Sequence, residues 1–549
     1  MSGAGTITVG GFEFAPEERP TLPGGPFNPV HPLKLRLAFG AVGACTGMAS
    51  TFGNALVNVN VPYLSGPLGL YVNEASWLPA IYVAMNATAN LTLVKARAQF
   101  GIPRITHGLL IAYALIGFSQ ILFPGFVTAA LTRAISGMTA GGLTTLSIYY
   151  LLQVFPPKLR PLAIVIGLAL PQMGTPLARL VPVDILATDG WHGLHLAEPA
   201  VALSVLALIL FFPLPPGERS KAFEPLDLAT IGLTVPAMLL LCGVLAQGRL
   251  MWWTDTPWLG QMLAASIPLL VIAGLLEANR AKPLVQLGWL GSADILRFAA
   301  VAFLMRIVLA EQTFGSVGLL TSGGLDNDQL HSLFGFVLLA MVLGTVTAVV
   351  TLSERRLPWQ VAIAAMIIAA GAFIDSGATN LTRPPQLYLS QALIGFGTTL
   401  FVGPALVYGI ARVFAKGPSH LVSMIVLFST TQNVGGLAGS ALLGTYQTIQ
   451  ARAHAASLSE HLTASDPHVA EQLQGGAAAV SSALTDPMLR SAEGAALLGR
   501  RLTMEANILA YNDVFRAVGV LAVLSAIYVV FLVVLHGLRR RPAFAEVKS

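Results

Sequence analysis

Residues 330–352 read LHSLFGFVLLAMVLGTVTAVVTL, and residues 358–376 read PWQVAIAAMIIAAGAFIDS. Only SERRL, residues 353–357, separates them, and it carries Arg355 and Arg356. A helix needs roughly 20 mostly apolar residues to cross a bilayer. Two such runs joined by a short basic turn describe a helical hairpin whose turn stays on the cytoplasmic side. The same pattern recurs along the chain. Fourteen spans are expected, at 38–62, 75–94, 105–123, 126–152, 161–183, 196–215, 226–247, 258–276, 292–318, 330–352, 358–376, 386–411, 420–446 and 515–536.

Composition agrees with that pattern. Of 549 residues, 55% are hydrophobic and 10% charged, whereas a soluble domain carries about 25% charged residues. So little charge cannot cover a soluble surface, which excludes a cytosolic enzyme, a disordered protein and a nucleic-acid-binding module. The net charge of +5 comes from basic loops and does not point to nucleic acid. With the N-terminus inside, the loops expected in the cytoplasm hold Lys34 and Arg36, then Lys95, Arg97 and Arg104, Lys158 and Arg160, Arg219 and Lys221, and Arg280 and Lys282. Arg355 and Arg356, Arg412 and Lys416, and Arg539, Arg540 and Arg541 complete the set. The short outside loops hold only Arg249 and Arg383. A miscounted span would break this alternation, so both ends are expected in the cytoplasm.

Residues 1–37 read as a cytoplasmic tail, of which 1–34 is expected to be mobile, with no signal peptide evident. Trp252, Trp253 and Trp258 sit at an outside turn, where indoles anchor a helix at the headgroup level. Residues 447–514 form a long outside segment, too polar to span. It reads as two or three short soluble helices broken near Asp466-Pro467, Gly475-Gly476 and Asp486-Pro487. Cys45 and Cys242 lie far apart in apolar runs, so no disulfide framework is implied.

Several motifs carry a family resemblance. The first span ends in Asn58-Val59-Asn60-Val61-Pro62, and Glu74-Ala75-Ser76-Trp77-Leu78 opens the second. The fourth holds Arg133-Ala134-Ile135-Ser136-Gly137. The thirteenth holds Thr431-Gln432-Asn433-Val434-Gly435-Gly436-Leu437-Ala438-Gly439, and residues 505–515 lead into the last. In order and spacing the chain resembles the fourteen-span drug:proton antiporters of the major facilitator superfamily. The resemblance implies an all-α polytopic fold: a six-helix bundle at 38–215, cytoplasmic linkers and two inserted helices at 216–291, and a second six-helix bundle at 292–536. A cytoplasmic tail at 537–549 would follow. It also implies proton-coupled export of small amphipathic drugs or organic acids across a bacterial inner membrane, without a cofactor. A periplasmic adaptor and an outer-membrane channel would be partners, docking on 447–514. An importer of the same fold remains an alternative.

The departures from the family pattern matter too. Gly53 stands where relatives carry an acidic residue. Residues 94–104 keep Gly101 but have Ala98 and Gln99 at the pattern's Asp and Arg. Residues 175–180 keep only the proline of the fifth-span motif.

Ionisable residues at membrane depth are costly and few. Arg133 is expected either to reach a central cavity and couple proton movement to substrate, or to fix its helix through hydrogen bonds. Arg306 and Glu311 lie five apart, roughly 140° around a helix, so each should meet another helix. A carboxyl withdrawn from water can exchange a proton near neutral pH. Glu311 is therefore a candidate carrier in place of the acid missing at Gly53, unless it sits in water near the outer end. Glu198, beside Pro199, either faces the outer vestibule or favours the start of its helix. Arg179 and Asp184 form a gate pair or are solvated ends. Asn54 with Asn58, and Asn86 with Asn90, sit at i and i+4, and line a cavity or join helices. Gln172, Gln312 and Gln432 are further candidates.

No phosphate-binding loop and no metal-ligand cluster is apparent in the sequence. His454, Glu460, His461, Asp466 and His468 raise the alternative of a membrane enzyme with an outside catalytic loop. Their setting is Ala-rich, and no tight acid-base spacing stands out.

Overall fold

The computed structural model describes residues 7–9, 12–15, 18–20, 24–66, 68–280, 283–414, 420–463 and 465–538. Lys282, Lys416 and Arg539–Arg541 lie outside the described residues. Apart from one antiparallel ribbon, Ile7–Val9 with Phe12–Phe14, the architecture is helical. Ten helices among the described residues are long and apolar enough to cross a membrane. The expected spans beginning at 38, 75, 126 and 292 also form helix. The first three carry more polar residues, among them the paired asparagines and Arg133, and the last is split after Ala293–Val308, a helix of 16 residues.

Helices up to residue 211 pack mainly on one another. Leu33–Leu64 and Trp77–Phe100 both lie against Phe126–Leu152, and Ile102–Leu122 lies against Val183–Phe211. A second group forms around Tyr388–Phe414, which packs against His331–Val350 and Leu357–Asp375. There Pro487–Leu538 packs on both Leu357–Asp375 and Leu421–Glu460. The two groups meet where Arg160–Ala169 touches Tyr388–Phe414 and where Leu421–Glu460 touches Trp77–Phe100. Pro225–Gln247 pairs with Pro257–Ala278 and leans on Trp77–Phe100. Its first turn is fastened there by charge. Asp227, fully buried, pairs with Lys95 at 2.7 Å and with Arg280 at 2.7 Å, and Arg280 also holds Glu277 and Glu224.

Two expected spans are interrupted. The fifth is Arg160–Ala169, a 3-10 stretch Leu170–Met173 and Gly174–Arg179. Pro171 and Pro176 lack the N–H a continuous helix needs. The ninth runs as Ala293–Val308, loosens into a π-helical turn at Glu311–Gly315, and resumes at Ser316–Ser322. Such π turns insert one residue per turn and re-aim the side chains there.

Several expectations need correction. Arg97 is not in a loop: its helix runs to Phe100, and Arg97 is buried with its guanidinium 5.7 Å from the Tyr149 ring centre. The N-terminal stretch is docked from residue 26. Pro26 bridges Gly217, Phe27 is fully buried under Phe14, and Asn28 and His31 both bond Gln153. Residues 447–514, expected outside, are mostly not free-standing helices. Leu421–Glu460 and Pro487–Leu538 extend the flanking spans continuously, and Pro467–Ala479 packs on the latter. The break at Asp466-Pro467 is present, with Asp466 capping that helix, but Gly475 and Gly476 lie within it. The indoles join helices as well as edging them. Trp253 donates to Thr445 at 2.8 Å, and Trp258 stacks on Trp77.

Candidate functional site

A cavity of about 730 Å³ lies between the two helix groups. Its wall includes Asn54 and Asn58 from Leu33–Leu64, Asn86 and Asn90 from Trp77–Phe100, and Gln172 from the 3-10 stretch. Opposite stand Arg306, Phe314, Gln432 and Asn433, with Leu406 and Phe428. The i,i+4 spacing of each asparagine pair puts both amides on one face. Of the expected lining residues, Gln312 lies elsewhere: it is buried, and its amide donates to the Gln391 carbonyl at 3.3 Å.

Behind the first wall is a buried ion pair. Arg133 and Glu198 are 2% and 1% exposed and bonded directly through Nη2 and Oε1. Tyr113 donates its hydroxyl to the same Glu198 oxygen at 2.9 Å. Arg133 Nη1 donates to Asn54 Oδ1 at 3.3 Å, so one amide touches both the pair and the cavity. The helix-start reading of Glu198 is overturned. Its helix begins at Val183, so Glu198 sits mid-helix, more than three turns from the end. A Cβ at Gly53 would fall 2.7 Å from the Tyr113 hydroxyl and 3.9 Å from Glu198 Oε1. The carboxylate of Glu198, on the sixth expected span, thus lies beside Gly53 of the first.

A second acidic site lies in the other helix group. Glu311 is 0% exposed, so the water-facing reading fails. Gln391 donates one amide nitrogen to Glu311 Oε1 at 3.0 Å and to Asp375 Oδ2 at 2.7 Å. The other oxygens, Glu311 Oε2 and Asp375 Oδ1, are buried without a hydrogen-bond partner. No ion pair to either carboxyl occurs among the described residues. Arg306 does not join this cluster. Its Nε donates to the Gln432 carbonyl at 3.0 Å, across a contact where a Cβ at Gly436 would come within 2.9 Å of the guanidinium. The glycines of the thirteenth span thus let its backbone approach Arg306.

Arg179 is buried, not solvated, and does not bond Asp184. It donates to Asn327 at 2.9 Å and lies over Phe334. That contact joins the two helix groups, whereas Asp184 is exposed. Sequence reasoning missed Tyr113, Asp375 and Gln391. Asp375 left a trace, as a lone carboxyl ending an apolar run. Tyr113 and Gln391 left none, because neither breaks a span.

The arrangement is that of a membrane carrier: two helix groups, a central polar cavity and buried charges beside it. The sequence profile of the Major Facilitator Superfamily matches residues 43–440, and the chain belongs to that family. Family and fold are those of a multi-pass membrane transporter, not an enzyme. A multidrug resistance protein B homolog of Mycobacterium tuberculosis (strain CDC 1551 / Oshkosh) is 27% identical over 398 residues, 68% of this chain and 69% of its own. The uncharacterized MFS-type transporter YhcA of Bacillus subtilis (strain 168) is 21% identical, covering 87% and 89%. Among solved structures, a bacterial homologue of the human drug peptide transporters PepT1 and PepT2 superposes with a TM-score of 0.53 at 13% identity, covering 92% of this chain and 99% of its own. The proton:xylose symporter XylE superposes with a TM-score of 0.50 at 15% identity, covering 91% and 96%. These likenesses concern the fold.

Proposed function

We propose that the chain is a proton-coupled exporter of small amphipathic drugs or organic acids in a bacterial inner membrane. It crosses fourteen times, with both ends in the cytoplasm and residues 447–514 outside. Two six-helix bundles alternate around the cavity, and the helices Pro225–Gln247 and Pro257–Ala278 are the inserted pair. The observation that carries the reading is Asn54, which lines the cavity and accepts from Arg133 of the buried pair. Protonating Glu198 would release Arg133, and Arg133 would pull on an amide that faces substrate. Coupling then needs no long relay. Glu311 is the second proposed carrier, with Asp375 and Gln391 as its neighbours. The multidrug resistance relative supports drug-like substrates.

Reconstituted vesicles with an imposed pH gradient test this directly. A fluorescent amphipathic dye should move faster with the gradient than without it. Equal rates would remove proton coupling. The outside helices are the proposed seat of a periplasmic adaptor leading to an outer-membrane channel. Replacing residues 461–486 by a short flexible linker should then reduce export across a double-membraned cell while transport in vesicles persists. Unchanged export would dismiss the partner.

A further inference from the structure

The cavity wall carries unbalanced charge. Arg179, Arg249 and Arg306 reach it, and no Asp or Glu does among the described residues. Arg133 adds nothing to this excess, because Glu198 already neutralises it. Arg179 is engaged by Asn327 and Phe334, and Arg249 lies over the Phe314 ring at 5.3 Å. Arg306 differs. Only its Nε has a hydrogen bond, to a backbone carbonyl, and no carboxylate pairs with it among the described residues. Beside it is Gln432, whose side-chain oxygen and nitrogen are both buried without a partner and which lines the same cavity. A guanidinium without a counter-charge and an unsatisfied amide are both costly away from water.

One kind of occupant relieves both. An oxyanion accepts from the guanidinium fork, for which carboxylate and sulfonate have matching geometry, and, once a rotation of the Gln432 side chain turns its buried Nε2 to the cavity, from that nitrogen. The surrounding wall, with Phe314, Leu406 and Phe428, suits an apolar body. We propose that Arg306 and Gln432 form an anion-binding subsite, and that the transported compound is amphipathic with a carboxylate or sulfonate head. This narrows the transport reading above and rests on it. A cationic compound would meet three arginines and no carboxylate among the described residues of the wall.

The test uses the full chain in phosphatidylcholine nanodiscs, titrated calorimetrically with three probes that share one ring system. These are 1-naphthalenesulfonate, 1-naphthalenemethanol and 1-naphthylmethylammonium. The sulfonate should bind at least tenfold more tightly than the other two, the scale of one charge-assisted hydrogen bond. Arg306→Gln should abolish that preference, Arg306→Lys should keep most of it, and Gln432→Leu should weaken sulfonate binding severalfold. Thermal unfolding of each variant shows whether it is folded. If Arg306→Gln fails to fold, Arg306→Lys and Gln432→Leu decide the matter. Equal or tighter binding of the ammonium, or sulfonate affinity unchanged in Arg306→Gln or in Gln432→Leu, overturns the subsite. If phosphatidylglycerol in the discs abolishes sulfonate binding, the occupant is a lipid headgroup and the substrate claim falls. Vesicle assays separate the two levels. Gradient-driven movement of the ammonium without sulfonate preference keeps the transporter and rejects the subsite. Sulfonate preference without gradient-driven movement does the reverse.

Discussion

The two buried acidic sites solve the same problem in different ways. Glu198 is neutralised by a partner, Arg133, and further held by Tyr113. Glu311 and Asp375 have no such partner among the described residues and share one amide of Gln391. A buried carboxylate must be balanced by a cation, by a proton or by hydrogen bonds. The first site already has its counter-charge, so adding a proton breaks an existing bond and frees an arginine. In the second, a proton would add the missing charge balance and break no ion pair. Under the proposed function, the first site suits a switch that moves the cavity wall, and the second a store that fills and empties quietly.

The largest effect expected is therefore at the first site. Glu198→Gln leaves Arg133 buried without a counter-charge. It should abolish gradient-driven transport and lower stability by about 3–5 kcal/mol, read from denaturation in detergent. A variant that loses transport but keeps wild-type stability would mean that the pair does not hold the fold together. Next, Gly53→Ala crowds the Tyr113 hydroxyl, 2.7 Å from the new Cβ. A loss of about 1–3 kcal/mol should follow, and Tyr113→Phe in the same chain should recover part of it. No recovery would move the strain elsewhere. Glu311→Gln sharpens the contrast. Driven transport should fail while stability stays within about 1 kcal/mol of wild type, since no ion pair is lost. Full transport in that variant would remove Glu311 as a carrier. Smallest should be Asp375→Asn, a change of about 1 kcal/mol or less in stability, with altered pH dependence of transport but not its loss. Abolished transport would make Asp375 the carrier in place of Glu311.

Much of the helical fold was written in hydropathy. The hairpin at 330–376 appears as His331–Val350 and Leu357–Asp375, close to the expected limits. The sixth helix was misjudged because residues 183–195 include Asp184, Thr188, Asp189, Gly190, His192 and Gly193, which read as a loop. Packing overrides that local composition: Leu186, Trp191 and Leu194 are buried in one cluster with Leu56 and Leu64, and Trp191 stacks on Tyr63. That extension put Glu198 deep in a helix and out of reach of a helix-start argument. The asparagine pairs were legible because i,i+4 spacing is a one-dimensional signal. The sharing of Gln391 between Glu311 and Asp375 was not, since three separate helical segments supply its members. Nor was the π turn at Glu311–Gly315, which follows from how that helix packs.

The helix Leu421–Glu460 has 40 residues, so it is about 60 Å long, twice the hydrocarbon thickness of roughly 30 Å. Gln432 and Asn433, in its first half, face the cavity, and its far part is tied to a second rod where His454 meets Asp513 at 2.7 Å. Such a rod behaves like the needle of a dial. A tilt of about 10° around Gln432 would sweep Glu460 through about 7 Å. A pair of spectroscopic labels near that tip would therefore read the position of the cavity wall from well beyond it, magnified and without touching substrate or proton sites.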